Sequence, residues 1–203
     1  QKRKTGIDYI SHPAKVADCI NSMETATQEL VAAAWLHDTL EDTKITKEEI
    51  IEKTSEKVYD LVYELTSDKE QIKILGKAEY LTQKMNNMSL GALLIKLADR
   101  YDNVSDLDLV SDSFAKRYIE ETEYIVNNLN YMNILKKQPY YTSNIRYTIE
   151  SFIDDIETKL KERKKKMINR DNLVLVRVNE GGVVYCLASN EQIQDIESFQ
   201  SYK

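Results

Sequence analysis

Apolar residues recur at helical spacing along most of the chain. Over 30–43, Leu30, Val31, Ala32, Ala33, Ala34, Trp35 and Leu36 run without a break into His37, Asp38, Glu41, Asp42 and Thr43. This stretch reads as one central helix with its exit turn, begun at Thr27. Ahead of it, Val16, Ala17, Cys19 and Ile20 form the stripe of a first helix. Pro13 suits its first turn, where a missing N–H costs nothing, with Ser11 or His12 at the cap. Residues 21–27 are polar and read as a loop. Thr46 followed by Glu49 is a capping-box pattern and predicts a helix over 46–53. Val58, Leu61, Val62 and Leu65 line one face of the next, over 56–66. Residues 69–87 are polar, a long helix or a loop leading into one, and carry Lys69, Lys73, Lys77 and Lys84.

A second strongly apolar helix follows over 89–106. Leu90, Leu93, Leu94, Ile95 and Leu97 lead into Asp99, Arg100, Asp102 and Asn103, so it repeats the logic of the first: an apolar run delivers acids at its far end. One amphipathic helix is predicted over 114–135 and another over 140–165. The basic run at 161–166 reads as a solvated helix end, since cations suit a helix C-terminus. At 173 the period changes. Leu173, Val174, Leu175 and Val176, a turn holding Gly181 and Gly182, and Val183, Val184 and Tyr185 predict a β-hairpin. A lone hairpin is marginally stable and must dock on the helices or on another chain. Residues 191–199 read as a short terminal helix. The expected architecture is all-α, a helical bundle over 1–166 with a small C-terminal β-hairpin appendage over 167–203.

Composition narrows the function. Only 5 Gly and 2 Pro among 203 residues favour long regular elements. A net charge of −6 disfavours a general nucleic-acid binder, but leaves room for a basic pocket inside an acidic envelope. No apolar run reaches the roughly 18 to 20 residues of a membrane span, and no signal peptide is visible. Cys19 and Cys186 lack metal or redox spacing, which fits reduced thiols in a cytoplasmic protein.

The chemistry lies where helices end. His12 opens the first helix, His37 and Asp38 close the central one, and Asp99 lies toward the end of the second apolar one. A single histidine on a helix is more often structural. Three helix ends offering two nitrogens and two carboxylates make a more specific set, suited to Mn²⁺, Fe²⁺, Zn²⁺ or Mg²⁺. Clustered acids repel and are costly to bury unpaired, and a divalent cation relieves both. On an unbroken helix, residues four apart share a face, which pairs His37 with Glu41 and Asp38 with Asp42. Three cations near the start, Lys2, Arg3 and Lys4, read from the residues alone as a solvated arm.

The order His12, His37-Asp38, Asp99 resembles the pattern of HD metal-dependent phosphohydrolases. The run from His37 to Thr43 is similar to the HDxxEDT run of Rel/SpoT-type guanosine-(penta)tetraphosphate hydrolases. The run from Ile95 to Asn103 is similar to their IKLADRxxN run, and Gly6, Tyr9 and His12 to Ala17 to their GxxYxxHPxxVA opening. The resemblance covers about residues 3–130. It implies a helical HD domain in which His12, His37, Asp38 and Asp99 bind one Mn²⁺, and Glu41 and Asp42 position or activate the attacking water. It implies hydrolysis of ppGpp or pppGpp to GDP or GTP and pyrophosphate. It implies further that Arg3 and Lys4 meet the guanine, Asn103 the sugar, and that Tyr118, Lys69 and Lys77 contact the substrate. Where the family has His-Asn, this chain has Asp102-Asn103, which adds negative charge near an anionic substrate. No motif of the family's synthetase half is present, so the resemblance implies a small, stand-alone hydrolase. Its expected partner is a small nucleotide, with no nucleic acid or membrane, and its C-terminal region is a route to homo-oligomers. Two other readings stay open: an HD phosphohydrolase acting on another nucleotide, such as a 2′-phosphatase on NADPH, and a nucleotide sensor without turnover.

Overall fold

Four consecutive apolar positions decide what lies at the centre. In α8 (Leu90–Ser105), Ala92, Leu93, Leu94 and Ile95 are all buried, and Leu97 and Ala98 extend the buried face to Asp99. The structure, a computed structural model, describes residues 1–3, 6–138, 143–171, 173–177 and 183–187. Packed on α8 are α1 (Ser11–Asn21), α2 (Gln28–Leu36) and α5 (Glu56–Leu65). Gly91 lets these helices close up: a Cβ there would meet the side chains of Leu30 at 3.1 Å and Leu61 at 3.2 Å. Truncating Ile95 to Ala should cost about 2–5 kcal/mol of stability, read from urea unfolding, because Ile95 has no exposed surface.

Side-chain caps set the helix starts. Thr27 caps α2, Ser55 caps α5 and Ser89 caps α8, each accepting a backbone N–H. The capping box at Thr46 and Glu49 forms in both directions and starts α4 (Lys47–Lys53). Glu64 accepts both Ser89 N–H (2.5 Å) and Ser89 O–H (2.6 Å), which ties the end of α5 to the start of α8.

Three expected helices are divided. The central one stops at Leu36; His37 and Asp38 form a turn, and a single turn of helix, α3 (Thr39–Asp42), follows. Residues 69–87 split into α6 (Lys69–Leu75) and α7 (Lys77–Asn87) at Gly76, whose φ of 81° lies in the region glycine alone enters cheaply. The helix expected over 114–135 is α9 (Asp112–Asn127) and α10 (Tyr131–Lys136), parted at 128–130, where Asn86 bonds to the backbone of both Asn128 and Asn130. These splits leave the all-helical class intact.

The last helix, α11 (Ser143–Asp171), runs beyond the expected 165. Packing divides the chain into two units, Gln1–Lys159 and Leu160–Lys203. In the second, Leu173–Arg177 and Val183–Leu187 run antiparallel, Leu173 opposite Leu187. The turn between them and the helix expected at 191–199 lie outside the described residues. Among the described residues, no helix is long and apolar enough to cross a membrane. The site lies wholly in the first unit.

Candidate metal centre and nucleotide cavity

The break after Leu36 builds the site. A continued helix would leave His37 and Asp38 a residue apart on its surface, 100° around. Instead Asp38 adopts φ −103°, ψ −3°, and its carbonyl receives the N–H groups of Glu41 and Asp42. His37 is buried, and its Nδ1–H donates to Ala34 O at 2.7 Å. From α1, His12 donates Nδ1–H to Asp102 Oδ2 at 2.6 Å. Both rings therefore turn Nε2 toward one point, where the two nitrogens lie 3.2 Å apart. His12 Nε2 is 3.2 Å from Asp99 Oδ1, and His37 Nε2 is 3.0 Å from Asp38 Oδ2. Ligand atoms of His12, His37 and Asp99 all fall within 4.8 Å of one another.

This donor set fits a divalent cation. With both Nδ1 atoms committed as donors, neutral rings would face two lone pairs at 3.2 Å, an arrangement that asks for a shared positive charge. The carboxylates show the same demand. Burial acts to lower His12, but hydrogen bonds to Asp102 and Asp99 outweigh it and push its pKa up to about 9. Burial likewise acts against protonated His37, and Asp38 and Asp99 overcome it. Burial alone would raise Asp99; Lys96 and the two imidazoles hold it well below the usual carboxylate range. Lys96 donates to Asp99 Oδ2 at 2.8 Å, and Asn103 Nδ2 donates to Asp99 Oδ1 at 2.6 Å. The Tyr9 hydroxyl donates to Asp38 Oδ2.

His12, Asp38 and Asp99 line a cavity of about 550 Å³, within the usual range for small-ligand sites. Five cations line it, Arg3, Lys77, Lys96, Arg100 and Arg117, against five acids, Asp38, Glu41, Asp99, Asp106 and Glu121. A divalent cation tips that balance positive. Without such an ion the lining is balanced in charge, and three of its cations, Lys96, Arg100 and Arg117, are not among the expected site residues. Lys96 alone carried a positional signal, standing three residues before Asp99 on the same helix.

The expected site residues are distributed unevenly. Glu41 lines the cavity, and one of its oxygens accepts Ser67 N–H at 2.6 Å. Asp42 does not: it accepts from Gln1 Nε2 at 3.2 Å and lines a neighbouring cavity of about 380 Å³ with Tyr9, Trp35 and Asp38. The break in the helix replaces the expected 37/41 pairing, so the two acids of the EDT run look into different spaces. Arg3 is no solvated arm. Its side chain is 7% exposed, donating to Asp102 Oδ2 at 2.6 Å and Asn103 Oδ1 at 3.0 Å, with Asp106 Oδ2 also 3.0 Å away. Gly6, at φ 84°, turns the chain so that Arg3 N–H meets Ile7 O. Lys4 lies outside the described residues.

Tyr118 lines the cavity beneath the Arg100 guanidinium, 5.2 Å from the ring centre, and burial pushes its pKa up to about 12. Lys77 lines it too, 3.3 Å from Glu121. Lys69 is exposed on α6 and is not among the lining residues. Asp102, expected near the substrate, does not line the cavity; it points back to His12, Arg3 and Lys15.

The helical fold and the His-Asp cluster are those of an HD domain. The HD domain family matches residues 1–131, and the chain belongs to that family. It is 37% identical over 131 residues to the guanosine-3′,5′-bis(diphosphate) 3′-pyrophosphohydrolase of Aquifex aeolicus, covering 60% of this chain and 18% of that protein. It is 36% identical over 141 residues to the mouse guanosine-3′,5′-bis(diphosphate) 3′-pyrophosphohydrolase MESH1, covering 66% of this chain and 78% of the mouse protein. The solved structure of a metazoan SpoT orthologue, described as hydrolysing ppGpp, superposes with a TM-score of 0.59 at 24% identity, over 76% of this chain and 85% of that one. That likeness concerns the fold. The chain spans less than a fifth of the length of the Aquifex protein and of a Brucella ovis GTP pyrophosphokinase that it also matches.

Proposed function

We propose that this protein removes pyrophosphate from the 3′ position of ppGpp or pppGpp, leaving GDP or GTP. The observation that carries the reading is the convergence of His12, His37, Asp38 and Asp99, three of which line a cavity that also presents five cations. The names of the Aquifex and mouse relatives support the substrate. His12, His37, Asp38 and Asp99 would hold one divalent cation, and Mn²⁺ is the ion proposed. Bound there, such an ion would lower the pKa of its water toward about 7 and offset phosphoryl charge.

The chain's own residues do the rest. Glu41 has one oxygen fixed by Ser67 N–H and offers the other as general base. Water attacks the phosphorus attached to O3′, its proton passing to Glu41. The P–O3′ bond breaks, pyrophosphate leaves with the water's oxygen, and O3′ takes up a proton. Lys77, Arg100 and Arg117 answer the pyrophosphate charge. Arg3 has its edge committed to Asp102 and Asn103, so its flat face, more than its charge, is what remains for a base to stack on. Asp42 lines the neighbouring cavity with Tyr9 and Asp38 and is not the proposed base. A cytoplasmic location is part of this reading. The antiparallel pair at 173–187 is proposed as a hairpin appendage serving docking or homo-oligomer formation; its register supports a hairpin.

Arg3→Ala should raise KM about tenfold or more and change kcat little, because the residue binds the base and touches no reacting atom. A large kcat loss at constant KM contradicts that role. The reading as a whole is tested by product chromatography. Protein loaded with Mn²⁺ is offered ppGpp, pppGpp, NADPH and dNTPs. Pyrophosphate with GDP or GTP is the expected product pair. Orthophosphate from NADPH alone would make the protein a phosphatase on another nucleotide. Tight ppGpp binding without turnover would make it a sensor.

A further inference from the structure

The two histidines of the cluster are held in different ways. His37 is oriented by its own helix, donating Nδ1–H to Ala34 O three residues back. His12 has no backbone partner for Nδ1. Its orientation rests on one side chain from another helix, Asp102 of α8, at 2.6 Å. The same oxygen, Asp102 Oδ2, accepts Arg3 Nη1–H, also at 2.6 Å, while Lys15 Nζ stands 3.2 Å from Oδ1. The Asp102 side chain is 7% exposed and does not line the cavity.

We propose that Asp102 is a positioning residue: it fixes His12 with Nε2 toward the metal centre and holds Arg3 at the nucleoside end with the same carboxylate. The inference rests on the metal centre proposed above. Its chemistry is that of a carboxylate–histidine–metal relay. A carboxylate on the far ring nitrogen selects the tautomer and makes the ligating nitrogen a better donor. Asp102 does not line the cavity, and its carboxylate is occupied by Arg3, His12 and Lys15. The acid that stands where the family run has His is thereby accounted for. It supplies from α8 the anchor that the backbone supplies to His37.

Mn²⁺ binding, followed by loss of the free-ion electron paramagnetic resonance signal with no nucleotide present, tests this. Asp102→Ala should weaken Mn²⁺ binding about 10- to 100-fold. Asp102→Asn keeps an acceptor for Nδ1–H and should regain part of that loss. Arg3→Ala leaves the Asp102–His12 bond in place and should bind Mn²⁺ within about twofold of wild type. With nucleotide added, Asp102→Ala should also raise KM, as Arg3→Ala does. Thermal melting of the metal-free variants checks that each is folded, and Asp102→Asn, which preserves volume, serves if Asp102→Ala is not. Asp102→Ala binding within twofold of wild type overturns the inference, as does an equal loss in Arg3→Ala, which would trace the effect to a loosened amino-terminal segment. Wild-type protein that binds no Mn²⁺ is a different result and removes the metal centre itself.

Discussion

Glu41→Gln is expected to lose at least about 100-fold in kcat while binding Mn²⁺ as tightly as wild type. General base catalysis contributes about 10² to 10⁴ in rate, and an amide cannot take the proton. Glu41 is suited to the task by position. It lines the cavity with Asp38 and Asp99, and Ser67 N–H pins one carboxylate oxygen at 2.6 Å. Gln retains an acceptor for that N–H, so the local fold should survive. Single-turnover rates with a parallel metal titration separate the outcomes. Unchanged kcat would assign the base to another group. Joint loss of metal and rate would make Glu41 part of the metal centre. Asp42 gives the contrast: it faces the neighbouring cavity, so Asp42→Asn should cost markedly less than Glu41→Gln.

Asp99→Ala is expected to lose metal, activity and stability together. Its Oδ2 receives Lys96 Nζ at 2.8 Å, its Oδ1 receives Asn103 at 2.6 Å, and His12 Nε2 lies 3.2 Å away. Lys96 is 12% exposed and Asp99 10%. Removing one partner of a buried ion pair typically costs about 3–5 kcal/mol, because the other charge stays buried alone. Urea unfolding of metal-free protein reads that term apart from the metal. His37→Ala should also lose the metal, and with it the bond to Ala34 O and the 3.0 Å contact with Asp38 Oδ2. If metal-free Asp99→Ala unfolded like wild type, the Lys96 pair would carry no weight in the fold.

The sequence made the helical class and the meeting of His12, His37 and Asp99 legible for a physical reason. Apolar stripes at helical spacing mark each buried face, and a residue on that face near the helix end, such as Asp99, is carried inward with it. The capping box at Thr46 and the stripe of α5 were readable for the same local reason. The breaks were not. A sequence window over 30–43 favours helix, and the contacts at the break are tertiary: Asp38 turns to Tyr9 and the opposing His12. That break decides which acid faces the cavity, so separating Glu41 from Asp42 was beyond a reading by spacing. The residues alone left Arg3 in a solvated arm, because a basic terminus resembles a solvated one until Gly6 turns it back onto α8; the family resemblance was what put it at the site. Asp102 read as a charge near substrate, since its direction depends on α1, which no spacing within α8 reports.

The central claim is that His12, His37, Asp38 and Asp99 share a single divalent ion. Crystals grown with Mn²⁺ and measured for its anomalous scattering test it most directly. The account predicts one peak bounded by the two Nε2 atoms and the carboxylates of Asp38 and Asp99. A map with no peak there, or with the ion bound elsewhere in the cavity, contradicts it.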